Sequence, residues 1–253
     1  MRFLVVFYLS LNILLPLHAT PSGGDKDLSS VINSIHQRHQ EEEARKKSLL
    51  RYSYERRSDV KEMDEDGKLE KQHKSLQRVY HLNLKESRTE TISSSKFEDG
   101  KWADVPKKEK DEKKDHKDRK VRFDFLGMFS PESRKEYNFE LVQQNDEQIV
   151  VSVKPKEAAT EKFKGKFWFS AKDYSMMKAE LQPSEFRTGL KSMNTYIEMK
   201  QYNGVSFPAK VVNKIHVKVF LIYSGKIDQN LVFENYKFGI DEKTFSEAYS
   251  KLK

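Results

Sequence analysis

The feature that most constrains this chain is the regular alternation of apolar and polar residues between Tyr137 and Phe233. Successive side chains on a β-strand point to opposite faces, so the alternation predicts strands with one apolar face. Turn sequences separate the alternating stretches, and Asn203-Gly204 is the clearest of them because this pair favours a two-residue hairpin. The longest predicted strand runs from Val211 to Tyr223. These stretches therefore predict antiparallel strands joined by hairpins.

A weaker alternation begins near Leu50, where Tyr52 and Tyr54 share one face, and a turn follows at 64–67. The strands predicted on either side of this turn carry many charges, as one-sided strands at a sheet edge do. The whole chain predicts about 9 to 11 strands in up-and-down order, which is a mostly β member of the α+β class. Because strand twist accumulates, such a sheet curls, and helices, a second sheet or an apolar ligand must cover its apolar face.

Helices are predicted at the start, the middle and the end of the chain. Apolar residues at helical spacing predict the first helix, from about Asp27 to about Ser48: Leu28, Val31, Ile32 and Ile35. Only its first turns are expected to pack, because residues 37–47 are nearly all charged. An apolar cluster over residues 121–129 predicts one or two buried helical turns or a loop, and Asp241 is expected to cap a final short helix.

Residues 1–19 have the composition of a removable secretory signal. Arg2 is the only charged residue before an apolar stretch from Phe3 to Leu15, and Ala19 provides the small residue that precedes a cleavage site. Residues 20–253 are then expected to form one domain. The chain has no cysteine, which excludes disulfides, thiolate metal sites, a cysteine nucleophile and an acylated cysteine anchor. We therefore expect a soluble periplasmic protein that is not itself a lipoprotein.

Charge is concentrated in a predicted insert at about residues 96–120, where every residue from Lys107 to Lys120 except His116 is charged. Such a run cannot bury a face, so it predicts a solvated helix or coil outside the core. The formal net charge of +8 would suit nucleic acid or anionic lipid headgroups. Export removes most nucleic-acid partners, so we expect no nucleic acid, and an anionic membrane surface stays open as a partner.

Three local patterns in the second half of the chain carry a resemblance to a known family. They are Gly165-Lys166-Phe167-Trp168-Phe169, the turn Tyr202-Asn203-Gly204-Val205-Ser206-Phe207-Pro208, and Phe233-Glu234-Asn235-Tyr236-Lys237-Phe238. In these patterns the chain resembles the LolA-like superfamily of periplasmic lipoprotein-sorting proteins, and the resemblance extends from about Leu49 to Phe238. It implies a strongly curved antiparallel half-barrel with lid helices, whose concave apolar face holds acyl chains without catalysing a reaction.

Eleven apolar residues are expected on that concave face and are the candidate ligand-binding residues. They are Phe139, Leu141, Val151, Phe167, Phe169, Met177, Ile197, Met199, Val217, Val219 and Leu221. Short helical stripes would leave part of such a face uncovered, and the adaptable thioether of methionine would suit varied acyl chains. The alternative is that the same side chains pack against the helices as a filled core.

Catalytic and metal sites are not predicted. His36, His39 and Glu43 lie at helical spacing, but the lack of a fourth ligand and their charged neighbours indicate an exposed polar face. The sequence contains no Gly-x-Ser-x-Gly elbow and no glycine-rich phosphate loop. We expect no enzyme activity and no cofactor. Two functions stay open: a carrier of lipid or lipoprotein acyl chains, or an exported interaction module that binds a protein partner, such as one in the inner or outer membrane.

Overall fold

The computed structural model describes residues 27–83, 86–105, 125–219 and 223–250. The strands in these ranges are β1 (Tyr52–Met63), β2 (Leu69–His81), β3 (Ser87–Glu98), β4 (Lys101–Asp104), β5 (Tyr137–Gln144), β6 (Gln148–Pro155), β7 (Phe163–Ser170), β8 (Met176–Pro183), β9 (Leu190–Tyr202), β10 (Val205–Val219) and β11 (Tyr223–Lys237). Helix α1 (Leu28–Ser48) precedes the strands, and helix α2 (Glu242–Ser250) follows them. Two 3₁₀ helices precede β5: Phe125–Phe129, named the plug helix below, and Ser133–Glu136.

These strands form one open antiparallel sheet in the order β4-β3-β2-β1-β11-β10-β9-β8-β7-β6-β5. The pairing of β1 with β11 joins the N-terminal strands to the rest of the meander, and β4 and β5 are the two edges. The hairpin between β9 and β10 turns at Asn203 and Gly204, whose φ angles are 52° and 73°. The predicted fold class, a mostly β antiparallel sheet with a helix at each end of the chain, is confirmed.

The main core lies between helix α1, the plug helix and one face of β5 to β9. This face of the whole sheet is named the inner face below. Asp27 caps α1, since its Oδ1 accepts a hydrogen bond of 3.0 Å from the Ser30 amide. Of the helical stripe expected from the sequence, Val31, Ile32 and Ile35 are buried and Leu28 is partly buried. Phe129 of the plug helix packs edge-to-face on two rings of β7. Residues 125–129 of the predicted apolar cluster therefore pack in or against the core, and residues 121–124 lie outside the described residues.

A second, aromatic cluster lies where β1, β10 and β11 meet. Its buried members are Tyr52, Val205 and Phe207, and further rings pack around them. Tyr236 belongs to this group, and its hydroxyl donates a hydrogen bond of 2.9 Å to the Pro208 carbonyl. Burial raises the pKa of the Tyr236 hydroxyl. Tyr52 and Tyr54 are thus used for packing within the protein.

The strict alternation predicted for β8 is wrong at Met177. The register with β7 shifts between Trp168 and Phe169, so that Phe169 pairs with Met176. Met176 is therefore 8% exposed and faces the core, whereas Met177 is 43% exposed. A β-bulge of this kind adds one residue to a strand and changes which side chains face inward.

Two further expectations require correction. The predicted strand from Val211 to Tyr223 is wrong at its end, because β10 ends at Val219 and β11 begins at Tyr223. Residues 96–98 and 101–104 are strand residues of the β3–β4 hairpin, so the helix or coil predicted for the charged insert is wrong there. Residues 106–120 of that insert, Leu221 and the predicted secretory signal at 1–19 lie outside the described residues.

Candidate binding groove

A groove of about 860 Å³ opens on the inner face at the end of the sheet where β7 and β9 begin and β8 ends. The plug helix supplies one wall through Phe125, Gly127 and Met128. Apolar side chains of the sheet supply the opposite wall: Tyr137, Phe163, Pro183, Leu190 and Met193. Ligand-binding clefts have volumes of roughly 300–1,000 Å³, so the groove is large enough for a small organic ligand.

Charged side chains stand at the rim of this groove. The Lys162 ammonium lies 2.9 Å from a Glu136 carboxylate oxygen, and this hydrogen bond raises the pKa of Lys162. Glu161, Glu185 and Arg187 complete the charged part of the lining. The rim therefore carries both signs of charge beside the apolar walls. In such an arrangement the walls can bury an apolar chain while the charged groups at the rim stay hydrated.

The candidate residues from the sequence fall into several groups. Four are buried in the packed core: Val151, Phe167, Phe169 and Ile197. Phe139, Leu141 and Met199 are partly buried and pack against that core, and Met177 is exposed on the opposite face. Val217 and Val219 lie in β10 beside the groove, where Val217 pairs with Leu190 of β9. Leu221 is outside the described residues.

The residues that line the groove were not among the candidates from the sequence. Met193 alternates in phase with Thr195 and Ile197, so its place on the inner face could have been predicted. The alternation does not show where on the sheet the covering helices end. The groove lies beyond the core that α1 and the plug helix fill, at the ends of the strands, whereas the candidates were taken mainly from the strand centres.

A buried carboxylate fixes α1 on the sheet. Glu42 is 3% exposed, and its carboxylate accepts hydrogen bonds from the Ser206 hydroxyl at 2.9 Å and the Ser206 amide at 3.2 Å. Arg38 donates to the same carboxylate at 3.2 Å and to the Gly204 carbonyl at 2.9 Å. The expectation that only the first turns of the helix pack is therefore wrong, because the fourth turn is tied to the β9–β10 hairpin.

Asp173 extends this network to the turn between β7 and β8. It lies 3.3 Å from Arg38 and accepts hydrogen bonds from the Gln201 amide at 3.0 Å and the Ser175 hydroxyl at 2.8 Å. Burial alone would raise the pKa of Asp173, but the hydrogen bonds from Gln201 and Ser175 outweigh it and lower this pKa to about 2. The carboxylate is therefore ionised at neutral pH, and the helix is held to two hairpins at once.

The face opposite α1, named the outer face below, has cavities of a different character. One of about 670 Å³ is lined by Met177 and by mostly polar side chains such as Lys178 and Glu198. Another, of about 530 Å³, lies over β1 to β3 and is lined mainly by charged and hydroxyl side chains, including Arg57, Asp59 and Ser93. Apolar side chains make up a larger share of the lining residues in the inner-face groove than in either of these cavities.

Among the described residues, no group of three or more histidine, aspartate or glutamate side chains is placed to hold a metal ion. His36, His39 and Glu43 are therefore not gathered into such a group. No helix in the described ranges has the length and apolar character needed to span a membrane.

No protein-family model and no curated protein matches this sequence. Solved structures similar to it include a domain named as an outer membrane lipoprotein-sorting protein from Vibrio parahaemolyticus, at 11% identity and a TM-score of 0.41, covering 87% of this chain and 99% of that chain. A LolA superfamily protein from Nitrosomonas europaea matches at 10% identity and a TM-score of 0.33, covering 86% and 98%. A DUF1329 family protein from Desulfovibrio piger matches at 7% identity and a TM-score of 0.39, covering 88% and 98%. These structures include the superfamily that the sequence resembles, and the likeness concerns the fold alone.

Proposed function

We propose that this chain is a non-enzymatic binding protein that holds the acyl chain of a lipid or lipoprotein in the inner-face groove. The observation that carries the proposal is the groove of about 860 Å³, with apolar walls from the plug helix and the sheet. Each methylene transferred from water into such surroundings contributes about 0.8 kcal/mol. Binding of an acyl chain therefore needs apolar area and enclosure, and it needs no reactive side chain.

The walls of the groove suit ligands of varied length and saturation. Met128 of the plug helix and Met193 of β9 face the groove from its two walls. An unbranched thioether side chain adjusts its shape at low cost, so methionine tolerates differences between ligands better than branched residues do. The mixed charges at the rim would remain hydrated beside the bound chain.

The proposed setting is the periplasm, which rests on the secretory signal expected at residues 1–19 and on the absence of cysteine. Without an acylated cysteine the protein would have no lipid anchor of its own. We propose that it acts as a soluble shuttle, with an anionic membrane surface or a membrane protein as the place where its ligand is loaded or released.

A second candidate function is that of an interaction module that binds a protein partner at a sheet edge. The edge strand β4 is exposed along its length, and Trp102 on it is 48% exposed. An open edge strand presents unpaired backbone groups to which another chain can add a strand. This function would use the same fold and would leave the inner-face groove unoccupied.

The proposed acyl binding is tested by titrating the delipidated full chain with a fluorescent fatty-acid probe. Met193→Glu places a charge in the apolar wall, which should weaken probe binding at least tenfold because the carboxylate loses hydration there. Met177→Glu makes the same substitution on the outer face, where the side chain is 43% exposed, and should leave the affinity unchanged within about twofold. Circular dichroism of both variants checks that each is folded.

A wild-type chain that fails to bind the probe would contradict acyl binding and favour the interaction module. Equal loss of affinity in the two variants would also contradict it, because the effect would then not depend on the groove. Competition by an unlabelled fatty acid separates binding in the groove from adsorption of the probe to the surface.

A further inference from the structure

A row of uncharged polar residues crosses the inner face beside the groove. Thr195 of β9 pairs with Asn213 of β10, and Asn213 pairs with Gln229 of β11. Directly opposite residues in antiparallel strands share a face, so the three side chains form a line across three strands. Asn213 is the one polar residue on this face of β10 between Val211 and Val219.

Apolar rows lie on both sides of this polar row. Toward the core, Ile197, Val211 and Leu231 pair across the same three strands. Toward the groove, Met193, Ile215 and Ile227 pair in the same way. Successive residues on one face of a strand are about 7 Å apart, so the polar row begins one step from Met193 in the groove wall.

The polar row is hydrogen bonded in one direction. The Thr195 hydroxyl donates to Asn213 Oδ1 at 2.8 Å, and Asn213 Nδ2 donates to Gln229 Oε1, also at 2.8 Å. Within the described residues, the Gln229 Nε2 amide at the end of this chain has no hydrogen-bond partner. Each bond in such a chain polarises the next, so the terminal amide is a strengthened donor.

The two residues that pair directly with Gln229, Asn213 and Val60, have neutral side chains. Gln229 pairs with Val60 of β1, and its neighbour Ile227 pairs with Glu62. Glu62 pairs in turn with Lys71 of β2, so the nearest charges in register are of opposite sign. A neutral carbonyl oxygen can accept the hydrogen bond without the large cost of removing a charge from water.

We infer that the row Thr195–Asn213–Gln229 binds the ester or amide carbonyl at the head of the acyl ligand, with Gln229 Nε2 as the donor. This inference rests on the proposed function, since it requires an acyl chain in the groove. It predicts that neutral acyl esters or N-acyl amides, such as glycerolipids and acylated peptides, bind more tightly than alkyl ligands of the same length that lack the carbonyl.

Two ligands that differ only in the carbonyl test this inference. The full chain is titrated, by displacement of the fluorescent fatty-acid probe, with 1-monopalmitoylglycerol and with its ether analogue 1-O-hexadecylglycerol. One neutral hydrogen bond predicts about tenfold tighter binding of the ester. Gln229→Met keeps the side-chain length and removes the donor, so it should reduce the affinity for the ester to that for the ether and leave the ether affinity unchanged.

The outcomes distinguish failure of this inference from failure of the proposed function. Equal affinities of the wild-type chain for ester and ether would overturn this inference and leave acyl binding in place. An ester preference that persists in Gln229→Met would overturn the assignment to this row. Failure of the wild-type chain to bind either ligand or the probe would overturn the proposed function and the inference with it. The ligand pair decides the first point on the wild-type chain, whatever the stability of the variant.

Discussion

Glu42 shows how much of this structure depends on single residues whose role is not visible in the local sequence. It stands between Glu41 and Glu43 in a run of charged residues, and nothing in that run distinguishes the three. Its partner Ser206 lies 164 residues further along the chain. The burial of Glu42 follows from where the β9–β10 hairpin meets the helix, so only the folded chain identifies it.

Replacing Glu42 by alanine is expected to lower the free energy of unfolding by about 3 kcal/mol, because Arg38 would lose its buried partner and Ser206 its acceptor. The matched control is Glu41→Ala on the same helix turn, where the carboxylate is 46% exposed. This control should change stability by less than about 0.5 kcal/mol. Urea unfolding of both variants measures the difference, and equal effects would contradict the role given to Glu42.

At the scale of secondary-structure elements, the alternation predicted most of the strands and their turns. Helix α1 begins and ends close to where the sequence predicted, from Leu28 to Ser48. The failures lie where the period is interrupted: the β-bulge opposite Met177, and the hairpin that separates Val219 from Tyr223. Bulges and long hairpins arise from pairing between strands, so a single strand's sequence does not specify them.

Gly165 is the position where two strands approach too closely for any side chain. A Cβ built there would lie 1.9 Å from the Glu180 carbonyl oxygen of β8. Gly165→Ala should therefore separate β7 from β8 and cost about 3 kcal/mol of stability. Gly67→Ala is the control: its Cβ would meet no atom within 4 Å, and φ is +90°. That backbone strain alone should cost about 1–2 kcal/mol.

Thermal unfolding of the two glycine variants tests this comparison. The expected order of stability is wild type, then Gly67→Ala, then Gly165→Ala. A Gly165→Ala protein as stable as the Gly67→Ala protein would show that β7 and β8 can separate at little cost. The core beneath β7 and β8 would then tolerate a wider spacing of these two strands than their close contact implies.

For the whole molecule, the sequence predicted a one-sided antiparallel sheet but not how its inner face would be divided. Part of that face is filled by α1 and the plug helix, and part forms the groove. Which part is filled depends on where the helices end on the sheet and on the network around Arg38 and Glu42. For this reason seven of the candidate ligand residues lie in the core or pack against it, while the groove is lined by residues that were not candidates.

The central claim is that acyl chains bind in the groove of the inner face. Photolabelling tests it most directly: the full chain is irradiated with a palmitate that carries a diazirine on its alkyl chain, and labelled peptides are mapped by mass spectrometry. The account predicts labels in residues 125–128 and 190–193, on the two walls of the groove, and their loss when excess 1-monopalmitoylglycerol competes. Labelling concentrated around Met177 and Lys178 on the outer face, or no labelling above that of the competed sample, would contradict the claim.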